Sequence, residues 1–277
     1  MSALPVTAFP DTSTMSGASL SITPLRPRGA RPVPPSQRRP LPAGRLDGAS
    51  PETVAAEARQ ANRDLEGRPA EEVLRWAIDA FGGRFCVTSS MQDMALAHLA
   101  STVAPGVDVV FLDTGYHFAE TIGTRDAVEA TMDVRVINVR PTQTVAEQDA
   151  TLGPRLHDRN PELCCQLRKV APLARALDNY DAYATGVRRV DSPVRALTPV
   201  VQWDPKKQSV KIAPLVNWTD NDVEDYIEQH GVLVNPLMDD GYPSVGCAPC
   251  TSQVADGEDV RSGRWAGRAK SECGLHL

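Results

Sequence analysis

The stretch RFCVTSSMQDMALAHLASTVAPGVDVVFLDTG, residues 84–115, decides how the rest of the chain is read. Arg84–Thr88 is a short β-like run, and Val107–Leu112 reads as a continuous apolar run, as expected of a strand buried on both faces. Asp93–Leu99 between them reads as helix. Strand–helix alternation of this kind implies an α/β fold: a mostly parallel sheet with helices on both faces.

The alternation continues outward. Downstream, His117–Thr131 is predicted helical and Val134–Val139 a strand. Thr142–Asp149 and Pro161–Leu177 are predicted helices, Ala182–Val187 a strand, and Val210–Ile212 an edge strand. Thr219–His230 is a further helix, with Thr219 as N-cap and Asp222 at the third helical position. Upstream, Ser50-Pro51 opens a helix along Val54, Ala58, Ala61 and Leu65. A second follows Pro69 with Val73, Leu74, Ala77, Ile78 and Phe81 on one face, and Gly82-Gly83 ends it. There is no internal repeat.

Composition bounds the class. The chain has 277 residues, 42% hydrophobic and 23% charged, with net charge −6, which suits a globular protein. No apolar run approaches the ~18 residues of a membrane-spanning helix, so no membrane crossing is expected. Six Cys are too sparse for a disulfide-stapled scaffold, and no secretory segment is visible, so a reducing, cytoplasmic setting is expected. Residues 1–50 carry +4 and nine of the 23 Pro, leaving −10 for 51–277. Residues 1–48 therefore read as a disordered tail, 49–257 as the α/β domain and 258–277 as a C-terminal segment. The acidic body argues against nucleic acid as partner. Homo-oligomer formation is left open.

In open parallel sheets ligands sit beyond the carboxyl ends of the strands. Those ends carry Ser89-Ser90-Met91-Gln92-Asp93, then Asp113-Thr114-Gly115, then Gly186-Val187-Arg188-Arg189. Hydroxyls, loop N–H groups and guanidinium forks on one rim suit a phosphorylated or sulfated ligand. Each segment alone could be a cap or a turn.

The cysteines fall into groups. Cys86 lies in a core strand and reads as a small buried hydrophobe. Cys164-Cys165 and Cys247-x-x-Cys250 suggest one four-thiolate site, open to zinc or an iron–sulfur cluster. Arg168-Lys169, Arg261 and Arg264 follow these pairs, and cations there offset the negative field of thiolates. Cys273 lies close to the chain end, where a core role is not expected, flanked by Lys270 and His276. Cationic neighbours raise the thiolate fraction, which makes Cys273 a candidate nucleophile.

Cys164-Cys165-x-x-Arg168-Lys169, Cys247-x-x-Cys250 and Glu272-Cys273-Gly274-Leu275-His276, in this order, resemble the assimilatory adenylyl-sulfate reductases within the phosphoadenylyl-sulfate reductase family. Asp113-Thr114-Gly115, Thr185-Gly186-Val187-Arg188-Arg189 and Gly263-Arg264-Trp265 share the resemblance, which runs from about residue 70 onward. It implies an adenine nucleotide alpha hydrolase-like fold and a [4Fe-4S] cluster on Cys164, Cys165, Cys247 and Cys250. It also implies that Cys273 attacks adenosine 5′-phosphosulfate, expels AMP and becomes an S-sulfonate, which thioredoxin releases as sulfite. Ser89, Ser90, Leu112 and Gly186 would hold the adenosine. Lys169, Arg195, Arg261 and Arg264 would bind the phosphosulfate, with Arg188 in the substrate-binding set, and His276 would close with the tail. The competing readings are reduction of the 3′-phosphorylated nucleotide, an ATP pyrophosphatase-type nucleotidyltransferase, and an iron–sulfur redox sensor or zinc module without catalysis.

Overall fold

The structure is a computed structural model that describes residues 41–267, 270 and 274. Two helices come first, α1 (Pro51–Asp64) and α2 (Ala70–Phe81). Ser50 caps α1 by accepting the Thr53 N–H, with Pro51 at the first helical position, as predicted. Leu46 is buried and Ala43 bridges Gly82, so the chain joins the folded body from residue 41 rather than 49. Residues 1–40, the rest of the expected tail, lie outside the described residues.

The alternating part follows as β1 (Phe85–Ser89), α3 (Ala95–Val103), β2 (Val107–Leu112), α4 (Ala119–Thr131) and β3 (Val134–Val139). Next come α5 (Val145–Leu152), the short α6 (Leu156–Arg159), α7 (Pro161–Cys165), a π-helical turn (Gln166–Val170) and α8 (Ala171–Leu177). Strands β4 (Ala182–Thr185), β5 (Val201–Asp204) and β6 (Ser209–Ile212) and helix α9 (Asp220–His230) complete it.

The strands form one sheet in the order β3-β2-β1-β4-β6-β5. All pairings are parallel except β5–β6. This corrects one expectation: β6 is interior, and the edge is β5, antiparallel to it. The two strands are joined by Pro205–Gln208, and Val201-Gln202-Trp203-Asp204 is too short a run to read as a strand in isolation.

Side chains alternate between two cores. Phe85, Val87, Val107, Val109, Phe111, Ala182 and Ala184 face a large core with residues of α1–α4 and flanking segments. Cys86, Val110 and Tyr183 face the other way, against Leu173 and Leu177 of α8. Cys86 is fully buried, as read from its neighbours, and burial pushes its thiol well up. Asp108 interrupts the apolar run of β2 on this second face. It is 6% exposed and accepts both Nε and Nη2 of Arg135, each at 2.6 Å, and the Tyr180 hydroxyl at 2.7 Å. A buried carboxylate so fully bonded is tolerated where a bare one is not.

The loop after β1 is held from behind. Asn235 is fully buried and donates through Nδ2 to the Met91 carbonyl (2.9 Å) and to Thr121 Oγ1 (3.1 Å), while its Oδ1 accepts the Leu237 N–H. Met91 has φ +59°, a left-handed conformation uncommon for a side chain of this size. Asn235→Ala is expected to cost about 1–3 kcal/mol, because three buried partners lose their bonds. The measurement is the shift of the denaturant midpoint at unchanged slope; a variant as stable as wild type would contradict it.

Candidate active site

The carboxyl ends of β1, β2 and β4 form the rim foreseen from the sequence. Ser89 accepts the Met91 N–H at 3.1 Å, and its neighbour Ser90 is exposed. Gln92 ties this loop to the segment before the C-x-x-C: its Oε1 accepts the Val245 N–H at 2.9 Å. After β2, Leu112 is half-buried, and its carbonyl accepts His117 Nε2 at 2.8 Å. Gly186 is exposed at the end of β4, and a Cβ there would meet nothing within 4 Å.

Asp93 is half-buried beside this rim. Burial raises its carboxyl above the usual range, against the opposing pull of the Ala95 N–H and of Arg188. Arg188 Nε donates to Asp191 Oδ1 (3.0 Å) and Nη2 to Asp220 Oδ1 (2.8 Å), while Arg195 Nη1 donates to Asp191 Oδ2 (2.9 Å). Asp191 thus holds together the two arginines that the sequence singled out. Arg188 Nη1 is buried with no hydrogen-bond partner among the described residues. Arg189, by contrast, is structural: both its Nη atoms reach Glu66, and Nε donates to the Thr198 carbonyl.

The four paired cysteines meet. Cys164, Cys165, Cys247 and Cys250 line one cavity with Tyr116, Lys169 and Trp265. On an α-helix neighbouring residues diverge by about 100°, so an adjacent pair needs help to serve one centre. Here α7 ends at Cys165 and runs directly into the π turn, a local widening that recurs at functional sites. The continuous helix expected over Pro161–Leu177 is therefore present but interrupted at the cysteines.

Arg168, in that turn, is 3% exposed. It donates to the Thr114 carbonyl and, through Nη1, to Gln148 Oε1 at 3.0 Å. Thr114 Oγ1 in turn lies 3.3 Å from Cys247 Sγ, and the Tyr116 carbonyl accepts the Ala248 N–H at 2.7 Å. The β2 loop, the π turn and the C-x-x-C are thereby one assembly. Arg168 supports it from below, a role its position in the sequence did not reveal.

All five described cysteines are free thiols, so Cys247 and Cys250 form no disulfide. Burial pushes the Cys164 thiol up to about 12, and Cys165, Cys247 and Cys250 add to the rise. Four thiolates so placed repel one another unless a cationic centre holds them. Among the described residues no three His, Cys, Asp or Glu side chains are arranged to hold a single metal ion. The four thiols share the lining of one cavity.

The segment after Cys250 folds back over it. The Cys250 carbonyl accepts the Trp265 N–H at 3.0 Å, and Thr251 bridges Arg264. Arg264 Nη1 donates to the Val245 carbonyl at 3.2 Å. It passes so close to Gly246 that a Cβ there would lie 2.2 Å from Nη2. Arg261 lies at the start of the same turn, where the Arg264 N–H donates to its carbonyl. Residues 258–267 thus pack on the cysteine turn rather than standing apart. Cys273 and His276 lie outside the described residues.

Residues 84–253 match the phosphoadenosine phosphosulfate reductase domain. The chain belongs to the phosphoadenosine phosphosulfate reductase family. An adenosine 5′-phosphosulfate reductase of Streptomyces coelicolor is 64% identical over 225 residues, spanning 81% of this chain and 95% of that protein. Its counterpart in Mycolicibacterium smegmatis is 57% identical over 220 residues, spanning 79% and 93%. The crystal structure of a phosphoadenylyl-sulfate reductase from Candida auris, a phosphate complex, superposes with a TM-score of 0.60 at 30% identity. That likeness covers 71% of this chain and 96% of the other. In this member of the phosphosulfate reductase family, the matched region holds the whole rim and all four paired cysteines. No helix among the described residues is long and apolar enough to cross a membrane.

Proposed function

We propose that the protein reduces adenosine 5′-phosphosulfate to sulfite and AMP. One observation carries this reading: four thiols and Lys169 around one cavity, in a fold whose rim offers hydroxyls and guanidinium groups. The names of the Streptomyces and Mycolicibacterium relatives support the substrate choice.

Ser89, Ser90, Leu112 and Gly186 hold the adenosine, for which the open space at Gly186 leaves room. Lys169, Arg188, Arg195, Arg261 and Arg264 hold the phosphosulfate, and the unpaired Nη1 of Arg188 is a donor awaiting an acceptor. The Cys273 thiolate attacks the sulfur. A sulfur–sulfur bond forms, the sulfur–oxygen bond to phosphate breaks, and AMP leaves with the electron pair. AMP is a good leaving group from a mixed anhydride, so no strong acid is needed. The barrier is an anion approaching an anion, which the cations lower while they align the sulfur. His276 closes with the tail.

The dithiol of thioredoxin then supplies two electrons. One of its thiolates attacks the Cys273 sulfur, sulfite departs, and the second thiol resolves the mixed disulfide. Cys164, Cys165, Cys247 and Cys250 would hold a [4Fe-4S] cluster. Four thiols lining one cavity match the four thiolates that such a cluster takes, and the adjacency of Cys164 and Cys165 departs from the two-to-four-residue ligand spacing of zinc sites. The bound cluster contributes a structural anchor and a local field, with no change of oxidation state required. Free thiols and a cysteine nucleophile fit the cytoplasm.

The test is incubation with adenosine 5′-phosphosulfate in the absence of reductant, followed by intact-mass and peptide mapping. A sulfonate on Cys273 is expected. An adduct elsewhere, or none, would remove the reading. Steady-state assays on both nucleotides are expected to give a kcat/KM for the 5′-phosphosulfate at least about 100-fold above that for its 3′-phosphorylated form, comparable to losing one or two charged contacts. The reverse order would favour the alternative reductase.

A further inference from the structure

The connection from β4 toward β5 is built inside out. It contains two 3-10 turns, Arg189–Asp191 and Pro193–Arg195. Its apolar side chains Val190, Val194 and Leu197 are exposed, Leu197 almost completely. Its charged ones are covered: the side chains of Arg188, Asp191 and Arg195 are 18%, 14% and 11% exposed. A segment that served only as a connection would be more stable with its apolar groups inside and its charges in water. The frame around these charges is closed. Arg189 Nε donates to the Thr198 carbonyl, which joins the two ends of the segment, and both Nη atoms of Arg189 are held by Glu66. Asp191 sits at the centre. Its Oδ1 accepts Arg188 Nε and Nη2, each at 3.0 Å. Its Oδ2 accepts the Arg188 backbone N–H and Arg195 Nη1, each at 2.9 Å. Two buried polar atoms of this segment, Arg188 Nη1 and Ser192 Oγ, have no hydrogen-bond partner among the described residues. Buried donors left open point to an acceptor that the protein itself does not supply.

We infer that Asp191 is a positioning residue that clamps Arg188 and Arg195 in the orientation that meets the phosphosulfate, an inference that rests on the reductase reading of those two arginines. An arginine side chain loses much rotamer freedom when it is fixed, and a carboxylate that fixes it beforehand removes that cost from ligand binding. The planar fork of each guanidinium makes its orientation matter as much as its charge. The charge of Asp191 by itself opposes an incoming anion, whereas its clamp favours one. The two effects have opposite signs, so removing the carboxylate tells them apart.

The test measures equilibrium binding of adenosine, AMP and ADP to the full chain, purified anaerobically, by calorimetry. The β-phosphate of ADP stands in for the sulfate. Asp191→Asn is expected to weaken AMP and ADP about tenfold and to leave adenosine within about twofold of wild type. Asp220→Asn is the charge control. Asp220 accepts Arg188 Nη2 at 2.8 Å but is 71% exposed, so its loss removes the same charge with little change of orientation, and all three affinities are expected to stay within about twofold. Arg188→Lys keeps the charge but loses the fork that Asp191 grips, and it is expected to match Asp191→Asn. Unchanged or tighter nucleotide binding in Asp191→Asn would overturn the inference. So would a parallel loss of adenosine, which would mark a general loosening of the rim, or an equal loss in Asp220→Asn, since any carboxylate beside Arg188 would then serve. Should Asp191→Asn fail to fold, wild-type affinities in Arg188→Lys would overturn it on their own. These outcomes leave the reductase reading standing. A wild-type protein that binds neither AMP nor ADP would remove that reading and this inference together.

Discussion

Cys273→Ser is expected to form no sulfonate and to lower sulfite production by at least about 10⁴-fold, the scale on which loss of a nucleophile acts. The hydroxyl that replaces the thiol is almost entirely protonated near neutral pH, whereas a thiol with cationic neighbours supplies a useful fraction of thiolate. The second half of the cycle fails as well, because serine offers no sulfur for a dithiol to attack. The four clustered cysteines are separate residues, so iron and acid-labile sulfide are expected to stay at wild-type levels. Sulfite release and metal content, measured on the same anaerobic preparation, check both halves. Full activity in this variant would end the reading of Cys273 as the nucleophile, and metal loss would mean that Cys273 is a ligand instead.

Cys247→Ser has the second large expected effect. Cys247 is 8% exposed, lies 3.3 Å from Thr114 Oγ1 and opens the turn that brings Cys250 to the cavity. Under the proposed cluster assignment, removing it leaves three thiols where four would hold the metal centre. Iron and acid-labile sulfide are expected to fall to near zero, with the visible absorbance of the protein, and sulfite production by at least about 100-fold, as is typical when the support of a metal site fails. Cys86→Ala is the companion measurement. Cys86 is fully buried in the second core and away from the cavity, so this variant is expected to keep its iron while losing about 1–2 kcal/mol of stability. Retention of iron and sulfide by Cys247→Ser, or their loss from Cys86→Ala, would refute the assignment of the four ligands.

The fold was legible where one periodicity dominated. Val107–Leu112 and Val134–Val139 end where their hydrophobic pattern ends, and Thr219 caps α9 with Asp222 returning the bond, as its spacing foretold. Strand β5 was not legible. Its stability comes from pairing with β6 and packing on α1, which are non-local, and its own alternation, Val-Gln-Trp-Asp, is only four residues long. The same holds for Asp108, which looks like part of an apolar strand until Arg135 and Tyr180 are brought to it from positions 27 and 72 residues away.

The candidate site divides in the same way. Residue chemistry alone picked out the two cysteine pairs, the cationic residues beside them and the rim segments, because thiols and guanidinium groups in such groupings have few other uses. Their partners were invisible: Asp191 holding Arg188 and Arg195, Arg168 bracing Thr114, and Glu162 meeting Lys270 across 108 residues. Composition and local pattern thus determined which groups this protein has for chemistry and that its strands run parallel. Only the tertiary structure decided which charges are free to act and which are already engaged. That choice rests on contacts between distant segments, and an ion pair or a buried hydrogen bond exists only once folding has brought both its members together and excluded water from them.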